Sequence, residues 1–283
     1  MALPIIFGLL AVFLLIYGKK FGYFCLPQER RLFYFPLSHV IFLFFGYIGA
    51  NFFLAPFFLK LLQRVPYSFF WTNFLVVLCI GLFLYAYVRY PGKPYVYSIW
   101  KNSTHSITQD CFQGFLSWFI AFPIVVFAEH LLEGFCLYFF SYKEVPNQTV
   151  VEYLRLTQHH PFFLTVAIAT IVIYAPIVEE FLFRGALQTF LVHQLGRKIG
   201  IVASSSLFAL FHYSPTQGLG NITIVGSLFF FSLFLGFLYE RQKSLLSPII
   251  LHSTFNVVSM IQLLFFTEGV FYAQTTIFCL PAF

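Results

Sequence analysis

A chain of 283 residues with 60% hydrophobic and only 9% charged residues, at a mean hydropathy of +0.84, is too apolar for a soluble domain, in which about 25% of residues carry charge. It is read as an integral membrane protein. The net charge of +6 resides in short connections rather than in a patch or stripe, so it is assigned to membrane topology and not to a nucleic-acid partner.

The apolar runs predict an all-α, polytopic transmembrane helix bundle of about eight spans, near 3–17, 32–59, 67–88, 111–141, 161–195, 199–213, 222–239 and 246–266. The ten-residue polar/apolar alternation of a membrane barrel is missing. The first run has no Lys or Arg before it and Lys19 and Lys20 after it, with no small-residue cleavage site. That pattern predicts an anchor with its N-terminus outside rather than a cleaved signal. Runs 32–59 and 161–195 exceed the roughly 20 residues that cross a bilayer, and Pro36, Pro56 and Pro176 are the expected kink points. In the fourth run Glu129, His130 and Glu133 leave two readings open. One is a single long helix; the other is a helix ending near Ala128 followed by an amphipathic surface helix. Asn102, Asn147 and Asn221 match the glycosylation triplet, a pattern common by chance. Cys25, Cys79, Cys111, Cys136 and Cys279 have no metal-site spacing and read as small hydrophobes. No internal repeat stands out.

Basic residues set the orientation. Lys19, Lys20, Arg30, Arg31, Arg89, Lys93, Lys101, Arg197, Lys198, Arg241 and Lys243 fall in odd-numbered connections, against Lys60, Arg64, Lys143 and Arg155 in even ones. The positive-inside rule then places the odd connections in the cytoplasm and both termini outside. A bacterial cell membrane is the expected location.

Chemistry concentrates in the C-terminal spans. Ile177–Gly185 reads Ile-Val-Glu-Glu-Phe-Leu-Phe-Arg-Gly, which puts Glu179, Glu180 and Arg184 inside an apolar run. Uncompensated at the bilayer centre, three such charges cost roughly 8–10 kcal/mol, so they must face partners. Glu180 and Arg184, four apart, share a helix face and can pair, while Glu179 points about a quarter-turn away. Phe208 and His212 are four apart in the sixth run, and His252 and Asn256 in the eighth. Three helices thus each offer inward polar groups, as bundles do when they build sites, and the six polar residues are expected to converge on one cavity.

Such a set suits water activation. A carboxylate serves as base, one His assists, and a second His with an Asn amide donates to a developing oxyanion. Two His and a Glu could instead hold zinc with one open position, and spacing does not choose between these. Each piece alone has a plainer reading: a helix-locking ion pair, a satisfied core histidine, a packed Phe208, a helix-bridging Asn. Together they exceed what packing needs.

Glu-Glu-Phe-Leu-Phe-Arg-Gly at 179–185, Phe-Ala-Leu-Phe-His at 208–212 and His-Ser-Thr-Phe-Asn at 252–256 resemble the EExxxR, FxxxH and HxxxN motifs of the CAAX protease and bacteriocin-processing family. The resemblance covers roughly 165–262. It implies an intramembrane endopeptidase acting on membrane-associated or lipidated proteins or peptides. By that resemblance Glu179 activates water with help from His212, Glu180 and Arg184 orient it, and His252 and Asn256 form the oxyanion hole. A metal-free glutamic mechanism with no cofactor is the expectation, with zinc as the alternative. The organisation expected is an N-terminal transmembrane region over 1–160, a catalytic transmembrane core over 161–266 and a tail over 267–283.

HExxH, a rhomboid-type GxSG loop and a presenilin-type GxGD are missing from the sequence. A non-catalytic scaffold or immunity-type protein is the rival reading, with a proton-coupled transporter third. The first 160 residues do not specify a substrate.

Overall fold

Without water to satisfy backbone polar groups, an apolar chain must bond every N–H and C=O within itself, and the helix does this segment by segment. A computed structural model describes residues 2–27, 34–100, 106–141, 153–154, 156–157 and 159–266. Arg30, Arg31, Lys101, Asn102, Lys143, Asn147, Arg155, Cys279 and the tail 267–283 lie outside the described residues. Nine helices carry the fold among those described: α1 Ala2–Lys20, α2 Leu37–Leu61, α3 Ser68–Arg89, α4 Lys93–Trp100, α5 Ile107–Phe140, α6 Pro161–Leu195, α7 Arg197–Leu210, α8 Gly220–Gln242 and α9 Leu246–Phe266.

Six of these, α2, α3, α5, α6, α8 and α9, are long and apolar enough to cross a membrane. The polytopic all-α bundle is therefore observed, with six such helices where eight spans were expected. The difference lies at α1 and α7. Helix α7 has 14 residues, or about 21 Å of rise against a hydrocarbon core of about 30 Å. Its apolar run continued past the helix into the turn that carries His212. Helix α4 was not anticipated; Pro94 stands in its first turn, where a missing N–H costs nothing.

Prolines explain the interruptions. Pro36 does not kink a span; it is extended and stands just ahead of α2, which begins at Leu37 rather than 32. Pro56 and Pro176 each follow a five-residue π-helical stretch, Ala50–Leu54 and Thr170–Tyr174. Helix α5 is one 34-residue helix through Pro123, opened by a capping box between Ser106 and Gln109. Of the two readings of this region, the single helix is the one adopted. His130 and Glu133 pair at 3.1 Å on its partly exposed face.

The core sits around α8 and α9, which bury 61% and 56% of their most apolar stretches, against 22% for α2. Helix α5 packs along both. Gly114 lies so close to α9 that a Cβ there would come within 2.5 Å of the Ser247 carbonyl, the close approach that small residues permit in membrane bundles. Ser247 Oγ donates to the Asp110 carbonyl at 2.9 Å, and Phe122 of α5 meets Phe255 of α9. From the other side α2 delivers Phe44 onto Phe183 and Phe211. The segment bearing Glu179 to Arg184 is therefore enclosed by packed helices.

Candidate active site

The site begins with a break in helix α6. Within Thr170–Tyr174 the Ala175 N–H donates to the Thr170 carbonyl, five residues back. The Ile171 carbonyl would then look to residue 176, which is proline and has no N–H. Its donor comes from another helix: Asn256 Nδ2 of α9, at 2.9 Å. A second π-helical stretch, Phe181–Gln188, follows directly. Wide turns of this kind are rare and concentrate at functional sites. Glu179 and Glu180 sit in the single α-helical turn between the two, Ala175–Glu180, both fully buried.

The charged groups face one another and the histidine of α9. Arg184 Nη1 donates to Glu180 Oε1 at 3.2 Å, as the i,i+4 spacing predicted. The same oxygen lies 2.8 Å from His252 Nδ1. On the far side of the imidazole, Nε2 is 3.8 Å from Glu179 Oε2. His252 therefore stands between the two carboxylates, with no exposed surface. Arg184 Nη2 reaches across to α8, donating to Ser232 Oγ at 2.7 Å and to the Ser232 carbonyl at 3.3 Å. One turn further on, Gln188 Nε2 donates to the Gly236 carbonyl at 2.9 Å. Breaking such a buried pair leaves an uncompensated charge and costs about 3–5 kcal/mol.

Phe208 lies under this cluster. The Arg184 guanidinium carbon is 4.4 Å from its ring centroid, a cation–π contact worth about 2 kcal/mol when desolvated. The His212 ring is 4.8 Å and the His252 ring 6.1 Å from the same centroid. Phe208 is thus more than core packing. It is the shared neighbour of three polar side chains.

His212 lies just beyond the end of α7, and its Nδ1 is 2.9 Å from the Phe208 carbonyl. Only an N–H there satisfies a carbonyl, so in the neutral ring Nε2 carries the lone pair. Nε2 is buried without a hydrogen-bond partner among the described residues.

The structure brings Glu179, Glu180, Arg184 and His252 into direct contact, with His212 joined to them through Phe208. Asn256 is buried one turn beyond His252, with its amide on Ile171. Ser232 escaped the sequence reading because a neutral residue 48 positions from Arg184 leaves no charge signature. Among the described residues, no group of three or more His, Cys, Asp or Glu is arranged to hold a metal ion.

One comparison with known families found a match. Residues 161–258 match the family model described as type II CAAX prenyl endopeptidase, Rce1-like. The chain carries an Rce1-like domain. The match spans about a third of the chain and contains Glu179, Glu180, Arg184, His212, His252 and Asn256. The Rce1-like family is a protease family. The Rce1-like domain comprises α6, α7, α8 and most of α9, while α1–α5 lie outside the matched stretch. No curated protein and no solved structure matched the chain.

Proposed function

We propose that this chain is an intramembrane endopeptidase that hydrolyses a peptide bond in a lipidated or membrane-associated protein or peptide. The observation that carries the reading is His252 held between two buried carboxylates, 2.8 Å from Glu180 and 3.8 Å from Glu179, beside the Arg184 ion pair. Two carboxylates against one arginine leave one negative charge. A single proton held among Glu179, His252 and a water brings the cluster to neutrality, the state a membrane interior favours. With that proton on His252, Glu179 stays ionised and can accept another as a general base.

In this reading Glu179 takes a proton from water as the water oxygen attacks the scissile carbonyl. His212 Nε2, its lone pair fixed by the bond at Nδ1, accepts a hydrogen bond from the same water. The tetrahedral oxyanion receives hydrogen bonds from protonated His252 Nε2 and from the Asn256 N–H that Ile171 does not use. The C–N bond then breaks as Glu179 returns its proton to the leaving nitrogen. Glu180 and Arg184, anchored by Ser232, hold His252 in place. The roles need neither metal nor cofactor. Odd connections facing the cytoplasm remain part of the proposal, and prenylated C-terminal tails are the first substrates to try.

Cleavage of a farnesylated, internally quenched peptide with a prenyl-cysteine tripeptide ending, by purified protein, tests the reading. Turnover abolished by Glu179→Gln supports it. The Asn256–Ile171 bond favours a rival, a packing scaffold, for which Glu179→Gln would leave function intact in a complementation assay.

A further inference from the structure

Asn221 matches a glycosylation triplet, yet it is buried in the first turn of α8. Its amide does not cap that helix. Both ends turn back to the preceding loop. The Ser214 N–H donates to Asn221 Oδ1 at 3.0 Å, and Nδ2 donates to the Ser214 carbonyl at 2.7 Å and to the Gly218 carbonyl at 3.0 Å. This two-way pairing with Ser214 copies one rung of a β-ladder. It fixes the chain two residues beyond His212. Gly218, at φ +51°, makes the return that brings its carbonyl to the same amide.

His212 is thereby held from two sides. Phe208 fixes Nδ1 from the helix below, and Asn221 fixes the loop above. Without the second hold, the residue lies in a helix-end turn whose backbone bonds reach only to Ala209 and Leu210.

We infer that Asn221 is a positioning residue for His212: it clamps the 212–218 loop so that Nε2 stays aimed at the attacking water. The inference rests on the endopeptidase reading for what His212 does, but not for what holds it. A purely structural asparagine would lower stability without singling out the step that His212 serves.

The test compares wild type, Asn221→Ala, Asn221→Asp, His212→Ala and the Asn221→Ala/His212→Ala double variant on the farnesylated quenched peptide in detergent. Hydrogen exchange over 211–219 is followed in parallel. Asn221→Asp is isosteric and keeps the bond from Ser214 N–H while losing both donations, so it guards against a folding failure in the alanine variant. The expected result is a kcat lower by about 10- to 100-fold in both single Asn221 variants with KM nearly unchanged, as for a misplaced catalytic group. The double variant should be no slower than His212→Ala alone, and exchange should rise in 211–219 only. Wild-type kcat in Asn221→Ala, or a loss that multiplies in full with that of His212→Ala, overturns the inference. A wild-type chain that does not cleave the peptide counts against the endopeptidase reading instead. Exchange then decides alone: faster in 211–219 supports the clamp, and unchanged overturns it.

Discussion

Pro56 and Pro176 interrupt two membrane helices in the same way, each after a five-residue π-helical stretch and an alanine. Their surroundings differ. Near Pro56 the polar residue Asn51 turns back on its own helix, its Nδ2 donating to the Tyr47 carbonyl at 2.9 Å. Near Pro176 the freed Ile171 carbonyl is met by Asn256 from α9, and the next helical turn holds Glu179 and Glu180. A proline break is only a local defect until a second helix answers it. Where one does, the defect becomes a fixed distance between the carboxylates of α6 and the histidine of α9.

The strongest way to break the comparison is to remove the charge that the Pro176 region alone carries. Arg184→Ala should abolish turnover and lower unfolding stability by about 3–5 kcal/mol, because Glu180 is left buried without its partner. A detergent thermal-melt series beside the peptide assay checks both. Glu179→Gln should cost about 10²–10⁴-fold in turnover, the range for a lost general base, with the melting midpoint nearly unmoved. Equal losses of stability in the two variants would make Glu179 a packing residue.

The prolines themselves give the sharpest contrast. Pro176→Ala restores an N–H that competes with Asn256 for the Ile171 carbonyl, and turnover should fall by about 10- to 100-fold through misplacement of Glu179. Pro56→Ala, in a helix turn that carries no carboxylate, should leave turnover within about twofold by the same argument. Similar effects of the two would mean that the Thr170–Tyr174 stretch is as incidental as Ala50–Leu54. The smallest effect expected is from chelation: protein stripped of transition metal should keep its rate, with elemental analysis run alongside. One zinc per chain, with activity lost on removal and regained on return, would reassign His212, His252 and a carboxylate as ligands.

What could be read from the sequence was whatever carried charge at helical spacing. Glu180 and Arg184 had to pair, since three unpaired charges in an apolar run are too costly to keep. The partners that complete the site were hidden because they are neutral or backbone: Ser232 on Arg184 and the Ile171 carbonyl on Asn256. Asn256 shows the limit clearly. Its spacing from His252 says that both face inward, yet its bond is set by a proline 80 positions earlier. The number of long helices differs from the number of apolar runs for a related reason. Hydropathy runs on through Phe211 and His212, whereas the helix stops at Leu210, and composition does not register where a backbone ends its ladder.

That early stop bears on a supply problem. Hydrolysis consumes one water per cut, and the interior of a bilayer holds almost none. A helix of about 21 Å falls some 9 Å short of the hydrocarbon thickness, and the stretch that follows it, Ser214–Gln217, is hydroxyl- and amide-bearing rather than apolar. If the endopeptidase reading holds, that polar stretch, starting two residues past His212, is where water would enter, on the side of the site that the helix leaves uncovered.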